Sequence, residues 1–476
     1  MAMKTTPCLM LLLPVAAWAE HSPTPPARPE PLPDPAPEIR AEPPATATPP
    51  APPQAHTIKL SADELARQPR LLHRALTAAV LRQHPDNIKL LLPLYLRLPE
   101  AQRGDKVLIE LAQAALAEQA QHPGRAAAHY RNALAHEPDM PVVRLNLAAA
   151  LTRDHQNRDA DALLADIAAD PALPERTAAS VANARAAIAE RRRWHIHAGG
   201  HYVRDANINN TPKQRVIKRG SGTIELPKPE AVQGFAYRAE AEKDWMLPKN
   251  HRIRTALSLN GRDYWEHSKY DELNVRAQAG PAYRSARSQS ALMPYYERRW
   301  YSGSRYAAEK GLRIEHSRHL GKRAHLSFAG EAARLRHDRR RFLDGASFNA
   351  SADLTWVVTP RSRLGIGTDF ARKRAQDPSD AYRRRNLRAT WGQTWGKGLN
   401  TSVHAAAALR RYDAADFFNI TRRDTEYSLS FSVWHNNIKF WGITPRLVGV
   451  YQKNRSNHFM YDYQKAYGFI RLAKSI

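Results

Sequence analysis

Hydrophobic and polar positions alternate along the second half of the chain. In Leu399–Arg410, Leu399, Thr401, Val403, Ala405, Ala407 and Leu409 share one parity, and Asn400, Ser402 and His404 share the other. That period of two is the signature of a strand whose faces meet different solvents. Ser347–Val358 repeats it, with Phe348, Ala350, Ala352, Leu354, Trp356 and Val358 set against Asn349, Ser351, Asp353 and Thr355; Thr425–His435 does so with Tyr427, Leu429, Phe431 and Val433. About fourteen such segments of ~10 residues follow one another, the length a tilted strand needs to cross a bilayer. The pattern predicts a transmembrane antiparallel β-barrel over residues 194–476.

The connections between these segments also alternate. Long polar stretches (Asp205–Glu230, Glu266–Glu272, Arg336–Gly345, Lys373–Arg385, Tyr412–Arg423) take turns with short ones (Leu247–Asn250, Gly321–Lys322, Pro360–Arg361, Gly396–Gly398, Asn436–Asn437). Bacterial barrels have long extracellular loops and short periplasmic turns, whereas a secreted β-sandwich has no reason to sort its loops. The alternation predicts an even strand count with both ends of the barrel domain in the periplasm.

Before the barrel the period changes to that of helices. Residues 58–193 are rich in Ala, Leu, Gln and Arg and carry an internal repeat: Ala114, Ala126, Tyr130, Ala133 and Pro138 return 34 residues later as Ala148, Ala160, Leu164, Ile167 and, one residue out of step, Pro171. Small residues where paired helices touch, a bulky one between them and a closing proline are the tetratricopeptide pattern. Helices around Leu65–Val80 and Ile88–Leu98 complete a stack of about three repeats, the number needed to bury a continuous core. Such a solenoid, here periplasmic, presents a concave surface to extended ligands. The fold class expected is therefore an α + β multidomain protein, an α-helical solenoid followed by a barrel of about fourteen strands.

Residues 20–57 are too dense in proline for helix or sheet and read as a disordered, extended tether. Residues 1–19 have Lys4, an apolar run from Leu9 to Ala17 and small residues at Ala17 and Ala19, which predicts a signal peptide cleaved after Ala19. The single cysteine, Cys8, precedes the apolar run. It is not placed for lipidation, and no disulfide or cysteine-based metal or redox site is expected.

Composition narrows function. No stretch of ~18 apolar residues follows the leader, which excludes helical membrane spans but not a barrel. A formal charge of +26 would ordinarily suggest nucleic acid. A secreted chain without a nucleic-acid motif is better matched to outer-membrane lipid, lipopolysaccharide and periplasmic polyanions, so no nucleic-acid partner is expected.

No catalytic, cofactor or metal site is predicted, and no client-binding residue is assigned. His195, His197 and His201 share a parity and are read as the polar face of the first strand, with Trp194, Ile196 and Tyr202 facing lipid. Gly365–Gly367 and Trp391–Gly398 read as strand glycines and a turn, because no helix follows them. Trp245, Trp265, Trp356, Trp391, Trp395, Trp434 and Trp441 fall near strand ends, where an interfacial aromatic girdle belongs. Arg339–Arg341 and Arg383–Arg385 are placed in outer loops as solvated charge.

The C-terminal stretch Lys439–Ile476, above all Gly442–Leu447 (GITPRL) and the later Ser456–Asn457, resembles the Slam family of surface lipoprotein assembly modulators of Gram-negative bacteria, as do WGQTWGKG, RDTEYSLSFSVWH and the repeat-then-barrel order. The similarity extends over nearly the whole chain beyond the proline-rich segment. It implies a fourteen-stranded outer-membrane barrel, without enzymatic activity or cofactor, that moves client proteins to the cell surface. Those clients would be surface lipoproteins or a related secreted haem- or iron-acquisition protein; periplasmic chaperones and the barrel-assembly machinery are further expected partners. One departure is the end of the chain, where Ile470, Leu472 and Ile476 occupy a parity at which relatives would carry an aromatic residue. The competing reading is a polysaccharide-export porin with a periplasmic repeat scaffold, which needs a continuous lumen of one charge.

Overall fold

A computed structural model describes residues 62–102, 105–219 and 222–475; the predicted signal peptide and the proline-rich tether lie outside them. Eight helices come first: α1 (Ala62–Ala66), α2 (Pro69–Leu81), α3 (Pro85–Leu96), α4 (Lys106–Gln119), α5 (Pro123–His136), α6 (Pro141–Arg153), α7 (Asn157–Ala168) and α8 (Glu175–Glu190). Proline opens α2, α3, α5 and α6, where a missing N–H costs nothing because no intrahelical acceptor awaits it. Asp105 caps α4 by accepting from the Leu108 N–H at 2.8 Å.

The turns inside the repeats share one solution. Gln83, Gln121 and His155 take positive φ, and the following N–H reaches back to close each helix: His84 to Ala79, His122 to Ala117, Gln156 to Leu151. This is a Schellman closure built on residues other than glycine. Gln121 and His155 stand 34 positions apart, so the repeat is kept in the backbone as well as in the core. Ala114, Ala126, Tyr130, Ala133, Ala148, Ala160, Leu164 and Ile167 all lie in one buried cluster; a second, from Leu72 to Ala112, holds the first helices together.

The strands are β1 (His195–Asp205), β2 (Val216–Arg219), β3 (Gly222–Glu225), β4 (Val232–Met246), β5 (His251–Tyr264), β6 (Glu272–Arg284), β7 (Ser288–Tyr301), β8 (Ser304–Leu320), β9 (Ala324–His337), β10 (Gly345–Thr359), β11 (Ser362–Lys373), β12 (Tyr382–Thr394), β13 (Leu399–Ala415), β14 (Thr421–His435), β15 (Arg446–Ser456) and β16 (Tyr463–Ser475). β2 and β3 form a separate hairpin; the other fourteen pair antiparallel in chain order and close between β1 and β16. Closure satisfies backbone groups that hydrocarbon could not. The fourteen-stranded barrel expected from alternation is present, with Leu257, Leu364, Leu387, Leu409, Leu429 and Ile470 exposed on its outer face.

The loop rule has two exceptions. β7 and β8 are joined on the outer side by only Ser302 and Gly303, both at positive φ, the requirement of a tight type I′ hairpin. β14 and β15 are joined on the periplasmic side by residues 436–445 rather than by Asn436–Asn437 alone. Within that connection Phe440 and Ile443 bridge across Trp441 (φ +50°) and Gly442 (φ +79°). The first half of GITPRL is thus a tight turn and the second half leads into β15.

Candidate functional site

Position in the barrel follows from parity. Inside, arginines meet carboxylates rather than one another: Arg276 bonds Glu297 (2.6 Å) and Glu331 (2.9 Å), and Arg313 bonds Glu331 and Glu315 (both 2.5 Å). Farther round, Arg388 pairs with Asp353 (2.7 Å) and Asp369 (3.0 Å), while Glu426 takes both Arg384 (2.9 Å) and Arg410 (2.7 Å). Near the periplasmic end Asp244 holds Arg252 and Arg254. Tyr295 donates to Glu309 and lies under the Arg276 guanidinium, whose Cζ is 4.1 Å from the tyrosine ring centroid. The wall is strongly polar and mixes both signs of charge, unlike the single-sign track a polysaccharide-export porin would need.

At the outer mouth the connection after β1 turns inward at Ile208. The Ile208 N–H donates to Glu230 O and the Leu226 N–H to Arg215 O. Ile208 packs with Val203, Val232, Tyr264, Tyr270 and Tyr301, a largely apolar cluster toward the outer ends of β1, β4, β5 and β7. A second outer cluster surrounds His458, which is fully buried, stacks on Phe459 and places Nε2 2.7 Å from Asp416. Its Nδ1 accepts from the Met460 N–H. Burial, the largest influence, lowers its pKa despite Asp416, so the ring stays neutral.

At the periplasmic rim the solenoid is bolted to two barrel turns. Asn250 Nδ2 donates to Asp154 O (2.6 Å), Asp154 Oδ2 (3.2 Å) and Arg284 O (2.9 Å). The Ala286 N–H donates to Asp154 Oδ1 (3.2 Å) and the Lys249 N–H to Asp159 Oδ2 (3.3 Å). Arg287 Nη1 donates to His122 Nε2 (2.7 Å). Burial, followed by Arg284, Arg191 and Arg252, pushes His155 down to about 2; burial, then Arg287, also lowers His122. Two neutral imidazoles therefore sit among arginines where solenoid and barrel meet. Local sequence carries no signal for this joint, because its partners lie roughly a hundred positions apart.

His195, His197 and His201 all lie on the lumen side, opposite the exposed Trp194, Ile196 and Tyr202. His201 stacks on Phe469 with centroids 4.0 Å apart. Among the described residues no group of three His, Cys, Asp or Glu side chains could hold a metal ion. Arg339–Arg341 lie between β9 and β10 as expected, but Arg383–Arg385 do not lie in a loop. They belong to β12, where Arg384 turns inward to Glu426 and Arg383 and Arg385 turn outward. The dense charge masked the strand's polar parity. Trp434 is likewise not in the girdle: it opposes the buried Asn400 and is covered by Arg446 at 4.3 Å. Trp245, Trp356 and Trp395 do face outward near the periplasmic ends, and Trp441 stands on its turn, 92% exposed. Asn457 stitches β14 to the end of β15, accepting from the Arg423 N–H (2.7 Å) and donating to Thr421 O (3.0 Å).

A closed fourteen-stranded barrel with outward apolar residues, a charged interior and a helical repeat domain on its periplasmic rim defines an outer-membrane barrel protein with a periplasmic solenoid. Residues 194–476 match the family described as surface lipoprotein assembly modifier, and residues 58–164 match its N-terminal TPR repeats. The chain belongs to that family. It is 33% identical over 88% of its length to surface lipoprotein assembly modifier 1 of Haemophilus influenzae, covering 87% of that protein. It is 32% identical, over 88% of its length and 85% of the relative, to surface lipoprotein assembly modifier 1 of Neisseria meningitidis. It is also 24% identical to the hemophilin secretion modulator of Acinetobacter baumannii, over 76% of this chain and 77% of that one.

Proposed function

We propose that the chain is an outer-membrane translocon that delivers client proteins, surface lipoproteins or a related secreted haem-acquisition protein, from periplasm to cell surface. Its membership of the family over both parts of the chain carries this reading. The names of its relatives indicate the client class: surface lipoproteins in most, hemophilin in one. Residues 1–19 act as the signal peptide, 20–57 as the tether, 58–193 as the periplasmic repeat domain and 194–476 as the barrel. The solenoid receives an incompletely folded client and hands it to the lumen, and folding outside drives the passage, since no nucleotide is available at this membrane. The chain needs no catalytic step or cofactor. Outer-membrane lipid, lipopolysaccharide, periplasmic chaperones and the barrel-assembly machinery are its expected surroundings and helpers.

A folded protein cannot cross hydrocarbon, because each unsatisfied backbone group costs several kcal/mol; a protein-lined route is required. The test is a heterologous Gram-negative host making a cognate client with no copy of this gene, the full chain, or the barrel alone. External protease should reach the client only where the full chain is present, with a periplasmic marker protected throughout. Equal exposure in all three strains, or exposure that rises with the marker, would make the barrel a plain pore.

A further inference from the structure

The barrel closes unevenly. β1 and β16 are joined by five residue pairs, His197–Ser475 to His201–Arg471, whereas β1 pairs with β4 over its whole length, from His195–Glu242 to Asp205–Val232. Continuing the β1–β16 register would set Tyr202 against Ile470, Val203 against Phe469, Arg204 against Gly468 and Asp205 against Tyr467, yet none of these is paired. β15 and β16 stay laddered from Asn454–Tyr463 to Arg446–Arg471, so each strand is held from behind and open in front. Elsewhere among the described strands the ladders are interrupted only internally, with pairs on both sides: by register shifts in β7–β8, β10–β11 and β13–β14 and by a gap at Pro281 and Pro294 between β6 and β7, where proline supplies no N–H.

Across the open stretch the strands are held by side chains. Lys465 Nζ lies 2.7 Å from Asp205 Oδ2, and His201 stacks on Phe469. Both contacts are on the lumen side and can part without breaking a backbone ladder. On the lipid side the open stretch carries only Gly468 and Ile470 on β16, facing Tyr202 and Arg204 on β1, with Leu472 below them. The unpaired stretch lies toward the outer mouth, on the outer-leaflet side of the barrel, with the Tyr202–Trp265 aromatic pair (5.8 Å between centroids) at its inner end. An unpaired strand edge facing lipid is costly, and this one sits between the lumen and that leaflet.

The geometry points to the outer half of the β1/β16 seam as a lateral gate through which the acyl chains of a lipidated client leave the lumen and enter the outer leaflet. This rests on the translocon reading above and adds the route for the anchor. Acyl chains have no favourable place against the arginine–carboxylate wall or in the water above the mouth; a seam opening sideways takes them from lumen to hydrocarbon directly.

The test locks the seam in the full chain. The chain's one cysteine, Cys8, lies outside the barrel, so a Tyr202→Cys/Ile470→Cys pair can be bridged on cells by a reducible bis-maleimide. A Phe328→Cys/Ala352→Cys pair, across the fully laddered β9–β10 seam, serves as control. Two clients are followed by surface labelling, one lipidated and one with its acylated cysteine replaced by alanine. Bridging β1 to β16 should lower display of the lipidated client at least tenfold, reductant should restore it in the same cells, and the lipid-free client should cross as before; the β9–β10 bridge should change neither. Lipidated client displayed normally through a bridged seam, or both clients stopped alike, would overturn the gate. If the unbridged protein displays neither client, the translocon reading itself fails, and the gate with it.

Discussion

Asp154 shows how much of the two-domain arrangement hangs on one side chain. It is buried, and its carboxylate accepts from Asn250 and from the Ala286 N–H, which belong to different barrel turns. In Asp154→Ala the Ala286 N–H loses its acceptor while Asn250 keeps only the carbonyls of residue 154 and Arg284, at a cost of about 1–3 kcal/mol. The barrel should still migrate as heat-modifiable, while limited trypsin cuts at Arg191–Arg193 faster than in the parent. Its neighbour His155 gives the joint a pH dependence. With a pKa of about 2 in the folded protein, against ~6.5 for the free side chain, His155 stays neutral while the unfolded chain takes up a proton. Stability is therefore unaffected above pH ~6.5 and falls as pH drops below it, by at most about 1.4 kcal/mol per unit. His155→Asn, which tolerates the positive φ, should flatten that slope in solenoid unfolding monitored by circular dichroism.

At the scale of elements, legibility depended on whether the signal was local. Strand alternation and the 34-residue repeat are periodic in the sequence, so they located the barrel, the girdle tryptophans on β4 and β10, and the eight buried repeat positions. Where charge outweighs periodicity the reading slipped: Arg383–Arg385 read as loop because inward and outward arginines look alike until Glu426 is placed opposite. Trp434 slipped for a related reason, since nearness to a strand end does not say which face a ring takes. The joint at Asp154 and the half-paired seam were invisible, being products of register between distant segments. The repeat reading makes its own prediction. Ala160 has no exposed surface and marks a closest approach of paired helices. Ala160→Leu should cost about 1–3 kcal/mol by overpacking, lowering the solenoid's melting transition and leaving the barrel's unchanged.

At the scale of the molecule, sidedness connects everything. α8 leads directly into β1, and the turns at residues 247–250 and 285–287 are covered by the solenoid, so those turns and the helices lie on one side of the membrane. The connections 206–231 and 374–381 lie on the other. Epitope tags in either of these two should be labelled on intact cells, and a tag at 247–250 should not; equal labelling would overturn the orientation.

The division of labour between the two parts follows from how each is stabilised. A closed barrel satisfies its own backbone hydrogen bonds, and the lumen ion pairs join strand to strand without help from the helices. The solenoid has separate apolar clusters of its own and meets the barrel through hydrogen bonds at two turns. Removing residues 58–193 should accordingly leave a heat-modifiable barrel in the outer membrane, while client display falls, because the surface that receives an extended segment has gone. Asp154→Ala should fall between the two, since it loosens the receiver without deleting it. Measuring display for the full chain, Asp154→Ala and the barrel alone at matched barrel levels would rank them in that order. Display by the barrel alone equal to that of the full chain would show that client capture resides in the barrel, and would leave the solenoid without a part in the transfer.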